Sequence, residues 1–127
     1  MKCQELQIWD WITDGHGFPM QITNVGDDYA YATFKGNEGD PWEFNDKEDR
    51  PEPIPITPEI LEKNGWERNG IFMEKRIDEN THLRWADICG SVLSQGNYYM
   101  CDCKYIHTLQ HALRLCGLDE LANNFKI

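Results

Sequence analysis

The chain has 127 residues and carries 22 acids against 12 bases, a formal net charge of -10 and a pI near 4.7. Charge of that sign is repelled by phosphate backbones and attracted to basic protein surfaces, which disfavours direct, sequence-independent nucleic-acid binding. Five Trp, five Tyr and five Phe supply apolar mass that argues against disorder, so the expectation is one domain over 1–127 with a core of its own.

The opening MKCQELQIWDW lacks the apolar segment and small-residue cleavage site of a secretory leader. No apolar run approaches the roughly 20 residues that cross a bilayer. Five cysteines, Cys3, Cys89, Cys101, Cys103 and Cys116, are an odd number. Free thiols in a reducing cytoplasm, with no membrane contact, are the expectation.

Residues 1–35 read as a β-rich part. Leu6–Thr13 alternates as a strand, with Leu6, Ile8 and Ile12 on one face and Trp9 and Trp11 on the other. Asp14-Gly15-His16-Gly17 is a turn, Phe18–Val25 a second strand, Gly26-Asp27-Asp28 another turn, and Tyr29–Phe34 a third strand. Residues 36–53 hold three of the six prolines and little periodicity, and are expected to form an exposed acidic loop. Between Glu38 and Glu52 seven acids face two bases, half of the chain's excess, with Trp42 and Phe44 among them.

Residues 54–127 read as the α+β part. Thr57-Pro58-Glu59 opens a short helix, because Thr caps, Pro fits the first turn and Glu favours the dipole's positive end. Asn64-Gly65 closes it. Strands are expected over Trp66–Arg68, Gly70–Ile77, His82–Ile88, Ser91–Gln95 and Tyr98–Cys103. From Tyr105, Ile106, Leu109, Leu113 and Cys116 recur at helical spacing, Gly117 supplies the stop, and Leu118 sits where a closing hydrophobic contact falls. The expected class is α+β: an N-terminal β-meander or partial SH3-like barrel, then antiparallel strands with one short and one longer C-terminal helix.

Tyr99–Gly117 contains Cys-x-Cys-x3-His-x3-His, the ingredients of a zinc site. Helical phase argues against it. At 100° per residue the apolar arc runs through Leu115, Ala112, Tyr105, Cys116, Leu109, Leu113 and Ile106, which puts His107, His111 and Arg114 on the opposite, solvent-facing arc. Cys101 and Cys103 then read as small inner-face strand residues. The expectation is no metal and no cofactor. His107, His111 and Arg114, with Lys104, form a small basic stripe, a second possible surface. The sequence holds no G-x-S-x-G, no phosphate-binding Gly loop followed by Lys-Ser/Thr and no H-E-x-x-H, so no catalytic residue is assigned and an enzyme is not expected.

Pro53–Trp66, PIPITPEILEKNGW, and Lys104–Gln110, KYIHTLQ, resemble paired signatures of a family of small proteins from Bacteroides-type bacteria, their phages and mobile elements. The family pattern has an opening L-R-I-G-N-x-V, a central P-I-P-L-T-x-x-x-L-x-x-x-G-F and a closing I-K-Y-V-H-x-L-Q-x-L. Here LQIWDWI places Trp9 and Asp10 at the usual Gly-Asn. The resemblance implies an α+β fold and a phage or mobile-element setting, and carries no activity. It also implies Val and Ile at Cys101 and Cys103 and a polar residue at His111, against zinc.

The functional expectation is therefore a non-enzymatic acidic binding protein of phage or mobile-element origin. Its partner is expected to be a host protein with a basic nucleic-acid-binding surface, inhibited as an anti-CRISPR protein inhibits its effector. The expected contact residues are Glu38, Asp40, Trp42, Glu43, Phe44, Asp46, Glu48, Asp49 and Glu52, with Trp42 and Phe44 as anchors. The alternatives are an accessory or structural protein of a mobile element, and an SH3-like nucleic-acid module stacking bases on Trp9, Trp11 and Tyr31.

Overall fold

A computed structural model describes residues 1–34, 36–87 and 91–127 of the chain. The fold is α+β, with two five-stranded antiparallel sheets and three helices among the described residues. The N-terminal sheet contains β1 (Trp11–Thr13), β2 (Pro19–Val25), β3 (Tyr29–Thr33), β4 (Trp42–Asn45) and β5 (Glu52–Pro53), in the order β4-β3-β2-β1-β5. β1 to β3 form the expected three-strand meander, β4 extends it, and the sheet curls around Cys3, Leu6, Ile12, Met20, Ile22, Ala30, Ala32 and Phe44. Alternation places Ile12, Met20, Ile22, Ala30, Ala32 and Phe44 on one face, and Cys3 and Leu6 pack onto it from the segment before β1.

Two features differ from the expected strand pattern. The strand expected over Leu6–Thr13 shrinks to β1, preceded by a 3₁₀ turn at Cys3–Glu5 and a reversal at Ile8-Trp9. Trp9 has φ +75°, a left-handed conformation that costs an ordinary residue about 1–2 kcal/mol. Hydrogen bonds fix it there: its N–H donates to Ile22 O at 2.7 Å, and its carbonyl accepts from Gln21 and Gln110. Residues 36–53 likewise contain β4 and β5 instead of one continuous exposed loop. Phe44, opposite Ala30 on β3, is fully buried because the alternation of β4 turns it into the N-terminal core.

The C-terminal sheet is a second meander of β6 (Glu67–Asn69), β7 (Phe72–Arg76), β8 (His82–Ala86), β9 (Val92–Gln95) and β10 (Tyr98–Asp102) in sequence order. The strand expected over His82–Ile88 ends its described part at Ala86; Ile88 and the thiol of Cys89 lie outside the described residues. Helix α1 (Pro58–Lys63) starts as expected, with Ile60 N–H donating to Thr57 Oγ1 at 3.2 Å. Helix α2 (Ile106–Leu115) ends in the expected glycine cap. Gly117 has φ +78°, its N–H donates to Arg114 O, and Leu118 N–H reaches back to Leu113 O. A further helix, α3 (Asp119–Asn123), follows with no counterpart in the sequence reading.

Helix α2 is buried on two sides. Ile106, Leu109, Ala112 and Leu113 join the C-terminal core of Leu61, Trp66, Met73, Leu83, Trp85 and Leu93. The polar arc turns toward the segment leading into β1, so the expectation that His111 and Arg114 face open solvent is corrected. Their side chains are only 25% and 15% exposed, because Asp10 of the N-terminal half meets them. Leu115 and Cys116, assigned by phase to the apolar arc, are exposed at the helix's final turn.

Candidate functional site

The expected acidic loop becomes the outer edge of the N-terminal sheet. Among the described strands β4 pairs with β3 alone, which leaves its other side as a sheet edge. Trp42 opens this strand, is 45% exposed, and donates from Nε1 to Asp49 Oδ2 at 3.0 Å. Glu43 sits opposite Tyr31 with its side chain exposed. The turn after β4 is tied by Asn45, whose Oδ1 accepts from Lys47 N–H and Glu48 N–H at 3.0 and 2.7 Å. Asn45 N–H donates to Asp49 O, so Glu48 and Asp49 project from an ordered turn.

The other expected contact residues separate by role. Glu38 accepts from Gly36 N–H at 2.9 Å, and Asp40 N–H donates to Asn37 O in the turn leading to β4. Glu52 lies across the sheet in β5, opposite Thr13, away from β4 in the strand order. Phe44 is corrected as a partner anchor, since its ring is entirely within the N-terminal core. Asp46 has a local structural job. Its Oδ1 accepts from Cys3 N–H at 2.8 Å, a bond that holds its carboxyl below the ordinary range. Two acids were not on the expected roster. Asp28 O accepts from Asp46 N–H at 3.1 Å, which brings the Asp27-Asp28 turn beside the 46–49 turn. Separation of about 20 positions hid this juxtaposition from any local pattern. Residues 1–53 carry 12 acids and 4 bases, so eight of the ten excess negative charges lie in this half.

The basic stripe assigned to α2 is a joint between the two halves. Asp10 has no exposed surface. Its Oδ1 accepts from Arg114 Nη1 at 2.7 Å, and its Oδ2 accepts from Gln7 N–H at 2.8 Å and lies 2.6 Å from His111 Nε2. A carboxylate only accepts, so Nε2 carries the proton there. Arg114 also donates to Gln7 Oε1, Ile8 O and Asn123 Oδ1. Beside it, buried Gln110 accepts from Trp11 N–H and donates to Trp9 O and Ala122 O, which satisfies its amide. His107 stacks on Tyr105 and meets His111 edge-on, and burial lowers its affinity for a proton. Lys104 alone of the stripe is exposed, with its ammonium over the Tyr105 ring.

No protein-family model, curated protein or solved structure matches the chain.

The Cys/His ingredients are parted by the same packing. Cys103 is part of the C-terminal core and Cys101 packs against it, whereas His111 turns to Asp10. Among the described residues no group of three or more His, Cys, Asp and Glu side chains is placed to hold a metal. Burial raises the thiol pKa of Cys101 and Cys103, and pushes that of Cys3 up to about 12 with help from Asp46. Such thiols stay protonated and are poor nucleophiles. Trp11, offered as a stacking surface, donates from Nε1 to Phe125 O at 2.6 Å and packs against the C-terminal core. Trp9 remains exposed, and Tyr31 is half-buried against Tyr29. No helix among the described residues is long and apolar enough to cross a membrane.

Proposed function

We propose that this chain is a non-enzymatic binding protein whose acidic sheet edge docks on the basic, nucleic-acid-binding surface of a host protein. The observation that carries this reading is a free strand edge on which exposed Trp42 is held by Asp49, Glu43 and Glu48 are exposed, and the Asp27-Asp28 turn lies beside the acidic 46–49 turn. An aromatic anchor inside a charged rim is a common source of interface energy, and the charge steers encounter with a basic partner. The resemblance through PIPITPEILEKNGW and KYIHTLQ favours a phage or mobile-element setting, in which inhibition of a defence nuclease such as a CRISPR effector is the concrete form. Trp9 adds weight to that resemblance. It takes a left-handed conformation suited to glycine at the position where the family pattern has Gly.

The test is capture of host proteins at low and high salt by the native chain and by an E43Q/E48Q/D49N variant. Recovery of a nucleic-acid-binding protein, displaced by added DNA or RNA and lost in the variant, is the expected result. Equal recovery by both chains would exclude the acidic edge as the contact and favour an accessory role in which the charge serves solubility.

A further inference from the structure

A second charged feature has the opposite sign and lies in the C-terminal half. A cleft of about 340 Å³ opens between the end of α1, strand β7 and the tail after α3. Lys63, Lys75 and Lys126 line it, one from each of these three places. Three of the chain's 12 bases therefore converge in a protein of net charge -10. The acid in the lining is Glu120, so the cleft carries a net charge of about +2 by simple counting of ionised side chains.

Asn64 builds this convergence. It follows Lys63 in the chain, and its backbone carbonyl accepts from Lys75 Nζ at 3.2 Å. Its side chain grips the tail in both directions: Lys126 N–H donates to Asn64 Oδ1 at 2.7 Å, and Asn64 Nδ2 donates to Lys126 O at 2.8 Å. A second Nδ2 bond to Ile60 O at 2.9 Å fixes the amide on α1. One residue thus sets the backbone of two lysines and the ammonium of the third. An ammonium has three donors, and Asn64 O takes one of those on Lys75. Leu121 and Phe125 supply an apolar wall to the same cleft.

With one acid among three bases, the like charges of this lining repel one another unless a further anion joins them. We infer that this cleft is a binding site for a small organic dianion of the phosphate-ester class, with the phosphate among Lys63, Lys75 and Lys126 and the organic part against Leu121 and Phe125. Lysine serves such groups as a point charge. The doubly negative ester matches the net charge of the cleft, and the volume falls at the small end of ordinary ligand sites. The site uses no residue of the acidic edge.

The test uses inorganic phosphate and adenosine monophosphate as probes, against sodium sulfate and sodium chloride at matched ionic strength. Amide NMR of the full chain should show saturable shifts at Asn64 and Lys126 with both phosphates, stronger with the ester because of the apolar wall. Lys126→Gln, a change at an exposed side chain, should weaken binding about tenfold, the loss expected for one charged hydrogen bond. Lys75→Gln should do the same, and Glu120→Gln should strengthen binding. Where Lys75→Gln disturbs folding by circular dichroism, Lys63→Gln with Lys126→Gln carries the test. The inference is overturned by no saturable shift at about 10 mM probe, a concentration that still detects millimolar affinity. Equal shifts with sulfate, or affinity unchanged in the double variant, overturn it as well.

Discussion

Asp10 and Arg114 form the most informative pair to perturb, because the two partners are buried unequally. Arg114→Met would leave the Asp10 carboxylate, 0% exposed, with only Gln7 N–H and His111 as donors. Removing one member of a buried pair costs about 3–5 kcal/mol, and the complete burial of Asp10 puts this variant near about 4. Asp10→Asn is milder. Arg114 keeps three other acceptors, and both Arg114 and His111 retain some solvent contact, so a loss of about 2 kcal/mol is expected. The double variant removes the stranded charge and should lose about 4 kcal/mol, well short of the sum, for a coupling of about 2. Urea unfolding followed by circular dichroism and Trp fluorescence measures all three. At a slope of about 2 kcal/mol per molar, midpoints should fall by about 1 M for Asp10→Asn and about 2 M for Arg114→Met. Additivity within about 0.5 kcal/mol, or Asp10→Asn proving the more damaging variant, would refute the reasoning.

Other substitutions probe separate elements. Phe44→Ala should cost about 3–5 kcal/mol in the same assay while Trp42→Ala costs under about 1, since one ring fills the core and the other lies at the edge. Trp9→Gly should be neutral or stabilising by up to about 1 kcal/mol, because glycine adopts the left-handed conformation without strain; a clear loss would mean that the indole contributes more than its backbone costs. Burial lowers the pKa of His107 from its ordinary 6.5, so the unfolded chain binds the proton first and stability should fall as pH drops below 6.5. His107→Gln should flatten that acid limb, and an unaltered profile would contradict the assignment. Cys3 runs the other way. Its thiol is held to about 12 against 9.0 when unfolded, so stability should fall between pH 9 and 12, and Cys3→Ala should remove that share of the decline.

The parts of the fold governed by local rules were legible in the sequence. Thr57-Pro58 marked the start of α1, Gly117-Leu118 marked the cap of α2, and turns rich in Gly, Asp or Asn separated the strands of both meanders. Trp9 was missed because a bulky residue in a left-handed turn contradicts its own propensity and is held by partners at positions 21, 22 and 110. Helical phase assigned His111 and Arg114 to the polar arc but could not show that Asp10, about 100 positions earlier, would cover it. The same limit applied to the acidic segment. Its charge was plain, whereas the alternation that buries Phe44 and turns Glu43 outward, with Trp42 left exposed at the strand's end, becomes readable only once β4 is paired with β3.

The joint at Asp10 also has a consequence for the order in which the chain folds. Apart from the β1–β5 pairing, each sheet is a run of hairpins between sequence neighbours, which close quickly, whereas Trp11 to Gln110 and Arg114 to Asp10 span 99 and 104 positions. Contacts of that reach should form after the barrier, when both meanders already exist. Asp10→Asn should therefore speed unfolding by most of its effect and leave the folding arm of the chevron nearly unchanged. A folding rate that slowed in proportion to the lost stability would instead place docking of the halves within the nucleus.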